Sequence, residues 1–484
     1  MYQTRLNTTN LTKDQFTTSW SYLSDKNGVP CSGEIILFDD HIICESSHKE
    51  FILNILIELK KIGKVMLKTS VIIAGDIQYD LLEVLIRGRK QQIELELNSN
   101  KEVKDKFIGE LTLLKLPQNS TDLLSDLMCL GEEIIIHKSE KLLENKMNNN
   151  LMKDFLVGGQ AFGINKSPEY KKIHQSSFDL GIAPFYFFLL KSESKDKIDW
   201  TLTDQVVDWL VETNRPIKGH PLIWLHKYAR PEWMIDLSFE ELTEFLLEHV
   251  TLVVNRYKDR IKMWDILNEL PAEDANGFDL TIEQLLELTD LISKHIKKLQ
   301  PDAERILNFS EIFGAKSYVH EKPSIPPVEF LKLCQQKGIE YESIGLQFYM
   351  GMKKEFTCRE LMDISQTVDQ FLQFGKNIHF SELGWPSKFD VDPNCFFSAD
   401  HPAVGGYWHR GWDEELQAEF LERIYTLFAS KDNVKSITWW DLTDNGNHED
   451  IGSRFIPFSG LTRRDYSPKP VLTQMQKFRE KVRN

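Results

Sequence analysis

Apolar and polar positions in the second two-thirds of the chain alternate between two periods. Eight short apolar runs read as strands: 155–162 (FLVGGQAF), 178–188 (FDLGIAPFYFF), 216–225 (PIKGHPLIWL), 261–269 (IKMWDILNE), 305–311 (RILNFSE), 342–350 (ESIGLQFYM), 377–385 (NIHFSELGW) and 434–444 (VKSITWWDLTD). Between them lie segments with apolar residues near i, i+3 and i+4, such as TDQVVDWLVET, FEELTEFLLEHVTLVVNRYKDR, TIEQLLELTDLISKHIKKLQ and EELQAEFLERIYTLFAS, which read as amphipathic helices. Eight alternating strand and helix units predict an α/β fold of the (β/α)8 barrel type.

Upstream the pattern changes. The polar stretch KLLENKMNNN at 141–150 separates a first domain, 1–150, from a barrel domain, 151–484. Short segments of mixed alternation, GEIILFDDHIIC, SVIIAGDI, LLEVLIRG, QQIELELN and FIGELTLLKL, predict a β-rich accessory domain, with some helix around FILNILIELKKIGK. No chemistry is legible in it, and its role is left open.

Composition narrows the function classes. Formal net charge is −15, from 73 acidic and 58 basic residues, and no basic run is interleaved with aromatics, which argues against nucleic acid or an anionic membrane as partner. No apolar run approaches the roughly 18 residues of a membrane span. The first twenty residues lack a basic start followed by an apolar core, so no secretory signal is visible and the chain reads as cytoplasmic, with export by another route left open. The six cysteines are scattered singly and read as free thiols. No zinc spacing, phosphate-cradling glycine loop or Ser-His-Asp order is present, so neither a metal nor another cofactor is expected.

In such barrels the active site lies where the strands end. The fourth run ends in Asn268 and Glu269 and the seventh contains Glu382. Two carboxylates facing one mouth are what cleavage of a glycosidic bond requires, one to protonate the leaving oxygen and one to act on the opposite face as nucleophile or base. An amide beside the first, Asn268, suits a hydrogen bond to the sugar 2-hydroxyl. The alternative is that Asn268 and Glu269 only begin a loop and cap a later helix.

From about 155 to 475 the chain resembles glycoside hydrolase family 10, the endo-β-1,4-xylanases: GHPLIW, WDILNE, GLQFY, SELGW and ITWWDLTD resemble motifs of its third, fourth, sixth, seventh and eighth strands, in order. The resemblance implies a retaining double displacement with Glu269 as general acid/base, carrying the higher pKa, and Glu382 as nucleophile. It further implies substrate-binding roles for Asn268, Gln347 and Trp440, with Trp440 flooring the central sugar site and Trp439 turned toward the helices. His220 matches a buried, hydrogen-bonded histidine near the acid/base strand, and it is a candidate for substrate binding together with His226 and Tyr349. Asp265 reads as a paired structural carboxylate, and Trp224 and Trp233 suit either core or cleft.

The departures are equally specific. The family's second strand ordinarily ends in Glu-Asn-x-Met-Lys-Trp, but Pro184 to Leu190 offers no carboxylate, amide or lysine in register, so the distal glycone site is expected to be apolar or aromatic, or built elsewhere. The histidine that usually follows the third-strand tryptophan is displaced by Leu225, with His226 as its shifted counterpart. Phe348-Tyr349 replaces a sixth-strand histidine that contacts the nucleophile, and the Tyr349 hydroxyl is a substitute able to hold a carboxylate ionised. Residues 386–405 form a long insert expected to wall the cleft, and NGNHED replaces a second tryptophan after the eighth strand. The expected partner is a polysaccharide or oligosaccharide. The alternatives are a hydrolase of another β-linked glycan and a catalytically silent glycan-binding barrel.

Overall fold

The computed structural model describes residues 1–75, 77–114, 120–227, 229–272, 275–315, 324–351, 356–390, 405–444 and 458–483. The first eighty residues carry nine strands: β1 (Tyr2–Asn7), β2 (Phe16–Ser24), β3 (Pro30–Cys31), β4 (Gly33–Leu37), β5 (His41–Ser46), β6 (Glu50–Leu59), β7 (Gly63–Lys68), β8 (Ile72–Ile73) and β9 (Gln78–Asp80). Three helices follow, α1 (Leu81–Ser99), α2 (Lys101–Leu113) and α3 (Thr121–Asn148). The barrel then closes in the order β10 (Leu156–Gln160), β11 (Leu180–Pro184), β12 (Ile217–His220), β13 (Met263–Asn268), β14 (Glu304–Phe309), β15 (Ser343–Tyr349), β16 (Asn377–Gly384) and β18 (Val434–Trp439). All eight pairings are parallel, and all eight expected runs contain a barrel strand.

Two upstream expectations are corrected. The segments LLEVLIRG and QQIELELN, and the FIGELTL part of FIGELTLLKL, are helical, lying in α1 and α2. Asp80 caps α1 by accepting from the Glu83 amide, and Leu81, Leu82, Leu85, Ile86, Arg89, Ile93 and Leu97 make one buried face at helical spacing. Gly88 lets that face close on the chain beneath it, since a Cβ there would stand 2.5 Å from the Ser70 nitrogen. Conversely FILNILIEL, expected to contain helix, is β6, paired antiparallel with both β2 and β7. A strand buried on both faces reads as a continuous apolar run, which periodicity does not distinguish from a buried helix.

The two regions share one core. Apolar residues of β6, β7, α1 and α3 belong to the same buried cluster as those of the barrel helices. α3 runs through most of the polar 141–150 stretch to Asn148, and Leu156 opens the barrel eight residues later. The two-residue strand β17 (Tyr407–Trp408), downstream of β16, pairs antiparallel with β7 and so joins the N-terminal sheet. Five cysteines among the described residues are free. No helix among the described residues is long and apolar enough to cross a membrane.

Candidate active site

Glu269 follows the last residue of β13 with a positive φ of 65°. A non-glycine residue in that region costs about 1–3 kcal/mol and persists where its surroundings fix it. Here its amide donates to the Asn308 carbonyl at 2.7 Å, its carbonyl accepts from Ala272 at 2.8 Å, and Oε2 accepts from Trp224 Nε1 at 2.7 Å. Trp224 is thus a cleft residue, whereas Trp233 packs on Phe245 and donates to the Lys191 carbonyl, away from the carboxylates.

Glu382 is buried on β16 among three donors. Tyr349 donates its hydroxyl to Oε2 at 2.7 Å; Gln347 and Asn308 donate side-chain N–H groups to Oε1 at 2.8 and 3.3 Å. The same Gln347 nitrogen donates to Oε1 of Glu269 at 2.9 Å. Two such bonds to one nitrogen bring an oxygen of Glu269 and an oxygen of Glu382 to a single donor, so the two carboxylates face one another across the Gln347 amide.

The strand register explains how so many polar groups converge. Between Leu346 and Gln347 the pairing of β15 with β16 slips, so that Leu346 faces Phe380 and Gln347 faces Glu382. Ser381 is the extra residue of a bulge, and both it and Glu382 reach Asn308: Ser381 Oγ donates to Oδ1 at 2.5 Å. A regular strand would turn consecutive side chains to opposite faces. A second slip between Asp265 and Leu267 lets both Asp265 and Asn268 point inward, although they are three positions apart. The Asn268 oxygen accepts from Asn308 at 2.6 Å.

Below the carboxylates lies a buried chain of charge. Lys218 and His220 Nδ1 approach the same oxygen of Asp265 at 2.8 and 2.7 Å, and His220 Nε2 lies 3.6 Å from Glu382 Oε1. Burial alone would raise the Asp265 pKa, but the Lys218 charge and the His220 hydrogen bond hold it below the ordinary value. Burial lowers that of His220. The Glu382 carboxyl is pushed up to about 8, first by burial and then by the Glu269 charge, against the Tyr349 hydroxyl and Lys218. Glu382 is the deeper of the two, at 5% exposed, with Glu269 half-buried.

Trp440 packs edge-on against His220 and Phe162, at 5.2 and 5.7 Å between ring centroids, in a cluster at the barrel mouth with Tyr186 and Tyr349. Trp439 is turned outward, fully buried, 4.7 Å from Trp385. His226 is buried against Trp224 at 5.0 Å. Where a polar grip was missing from the sequence, Tyr186 stands edge-on to His220 and Trp224 and stacks on Phe188. Lys191, the next lysine along the chain, is buried with Nζ over the Phe245 ring at 4.9 Å. Most of the 386–405 insert, and NGNHED, lie outside the described residues.

Sequence reasoning missed Asn308, Ser381 and Tyr186. Asn308 carried the same signal as Asn268, an amide ending an apolar run.

Residues 188–477 match the family model described as Glycosyl hydrolase family 10. The chain belongs to glycosyl hydrolase family 10. It is a glycoside hydrolase by that membership, and the match begins just after the second barrel strand, leaving residues 1–150 outside it. Among relatives, it is 25% identical over 316 residues to Endo-1,4-beta-xylanase A of Xylanibacter ruminicola, covering 59% of this chain and 79% of that one. It is 22% identical over 363 residues to Endo-1,4-beta-xylanase B of Thermotoga neapolitana, covering 70% and 91%. The GH10 structure from Paenibacillus barcinonensis superposes with a TM-score of 0.52 at 17% identity over 68% of this chain and 96% of that one. Native xylanase 10B from Thermotoga maritima superposes at 0.50, with 19% identity over 71% and 98%. These superpositions carry the shared family 10 barrel fold.

Proposed function

We propose that the chain is a retaining endo-β-1,4-xylanase in which Glu269 is the general acid/base and Glu382 the nucleophile. The observation that carries this reading is the single Gln347 nitrogen bonded to both carboxylates, because it brings the two groups together at one barrel mouth. The names of the relatives support xylan as the substrate.

Near neutral pH burial and the Glu269 charge favour a proton on Glu382, and its titration is shared with Glu269 rather than belonging to one residue. The donors on both Glu382 oxygens favour its ionised form, so a glycosidic oxygen arriving beside Glu269 draws the proton to that side. Glu269 then protonates the leaving oxygen while Glu382 attacks the anomeric carbon, breaking the glycosidic C–O bond and forming a glycosyl ester. In the second step Glu269 takes a proton from water, the water oxygen attacks the same carbon, and Glu382 departs as carboxylate. Trp440 offers a flat apolar face to the sugar at the cleavage point, and Asn268 and Tyr349 hold the reacting groups.

A second reading, hydrolysis of another β-linked glycan, is favoured by the aromatic wall at Tyr186 and Phe188. Xylan and other β-glycans, together with aryl β-glycosides, separate the two when assayed with wild type, Glu269→Ala and Glu382→Ala. The expected result is turnover of xylan, a loss of at least about 10²–10⁴-fold in each variant, and azide rescue of Glu382→Ala with inverted product. Equal rates for all three proteins would sink the catalytic assignment; turnover only of other glycans would transfer it to the second reading.

A further inference from the structure

We infer that residues 1–150 are a positioning part of the catalytic cleft: strand β7 and Glu132 of α3 hold in place the segments that follow the two strands bearing Tyr349 and Glu382. The inference rests on the activity proposed above for what the cleft binds.

The first attachment is backbone to backbone. After Tyr349 the chain passes to Phe356, whose ring lies 5.4 Å from that of Tyr349 and borders the mouth cluster containing Tyr186 and Trp440. Two residues on, the Cys358 carbonyl accepts from the Met66 amide of β7 at 2.9 Å, while the Cys358 amide donates to the Gly405 carbonyl at 2.7 Å. The wall beside Tyr349 is therefore fixed within two residues to the N-terminal sheet. Gly405 begins the second attachment, in which Tyr407 and Trp408 pair with Lys64 and Gly63 and the His409 amide donates to Ile62 at 2.6 Å. Approach is so close that a Cβ on Gly406 would stand 2.2 Å from the Lys64 carbonyl oxygen; with φ of +85° there, only glycine fits without strain.

Glu132 joins both attachments. Its Oε1 accepts from Trp408 Nε1 at 2.8 Å and from the Leu361 amide at 3.1 Å, and its Oε2 lies 2.8 Å from His409 Nε2. The carboxylate is 5% exposed, and it ties the 405–412 segment to the start of the barrel helix Leu361–Leu372. Beside it Arg89 of α1 pairs with Glu360, which caps that helix by accepting from Met362 and Asp363 at 2.8 and 2.7 Å. Arg359 donates to the Tyr22 hydroxyl of β2 at 3.0 Å. A tethered sugar-binding module would meet the catalytic domain through a polar, separable interface. This contact is buried, shares the core and ends on the cleft wall.

The consequence is a split between substrates. An aryl β-xyloside engages the reaction centre alone, whereas a polymer also lies along the wall that the N-terminal region fixes. Full-length Glu132→Ala and Glu132→Gln test this, the second keeping the side-chain shape and two of the three acceptor contacts should the first not fold. Kinetics on both substrates are combined with hydrogen exchange over 356–363 and 405–412. Expected are faster exchange in those segments, KM on xylan raised about fivefold or more in the alanine variant and less in the glutamine variant, and kcat on the aryl xyloside within about twofold of wild type. Loosened segments with unchanged KM on xylan, equal loss on both substrates, or unchanged exchange would each overturn the inference. Absence of wild-type turnover on either substrate would instead strike the proposed activity.

Discussion

The Tyr349 hydroxyl donates to Oε2 of Glu382 at 2.7 Å. A hydrogen bond to a buried carboxylate contributes about 1.5–3 kcal/mol, and it favours the charged form that the proposed nucleophile needs. Tyr349→Phe should therefore lower kcat on an aryl β-xyloside by about 10- to 100-fold with little change in KM, and move the acidic limb of the pH–rate profile upward. A kcat within twofold of wild type, with the limb unmoved, would show that this bond does not serve the nucleophile.

Adjacent tryptophans should separate by assay. Trp439 is enclosed by Trp385 and donates to the Asp441 and Ser459 carbonyls at 2.9 and 3.2 Å, so Trp439→Ala should cost about 3–5 kcal/mol of stability. Trp440→Phe, which keeps an aromatic ring at the site, should cost less stability in urea unfolding than Trp439→Ala and reduce kcat/KM. Reversal of the two phenotypes would contradict the assignment of Trp440 to the cleft.

Asp265 neutralises Lys218 where neither has water, both being 1% exposed or less. Removing one partner leaves an uncompensated buried charge, so Asp265→Asn should destabilise by about 3–5 kcal/mol, while Lys218→Met combined with Asp265→Leu should recover much of that loss. Urea titrations of the three proteins decide it: a double variant no more stable than Asp265→Asn would mean that the ion pair itself, not the stranded charge, sets the cost.

Glu382 and Asp441 are both raised to about 8, burial being the largest cause for each. From their ordinary values of 4.5 and 3.8 up to about 8, the folded chain keeps protons that the unfolded chain has released. Unfolding in that window loses protons, so stability falls as pH rises through it. Thermal unfolding between pH 5 and 8 should show Tm falling, with a shallower fall in Glu382→Gln, whose remaining slope belongs to Asp441. Parallel slopes in the two proteins would place the raised carboxyl elsewhere.

Much of the barrel was legible because its strands are short apolar runs ending in polar residues, and that signature picked out Asn268, Glu269, Gln347 and Glu382. The same signature marks Asn308, an amide near the end of the fifth apolar run. What the sequence could not display was parity. Ser381 with Glu382, and Asp265 with Asn268, share an interior only because bulges shift the register, and a bulge leaves no residue type of its own. Upstream, α1 and β6 exchanged their expected identities because leucine and isoleucine runs bounded by charge fit either period when both faces are buried.

The pairing of β7 with β17 also bears on how the chain is made. Tyr407, which bonds Glu58 at 2.7 Å, lies 349 residues from it along the sequence. During synthesis the N-terminal sheet emerges before the barrel, yet the Gly63–Lys64 end of its outer edge at β7 stays open until the segment after the seventh barrel strand arrives. An open strand edge is a template for wrong partners, and contacts this distant form slowly. The nascent chain therefore carries its greatest exposure to aggregation before residue 408 is made, and completing the barrel's late segments is what shields its beginning.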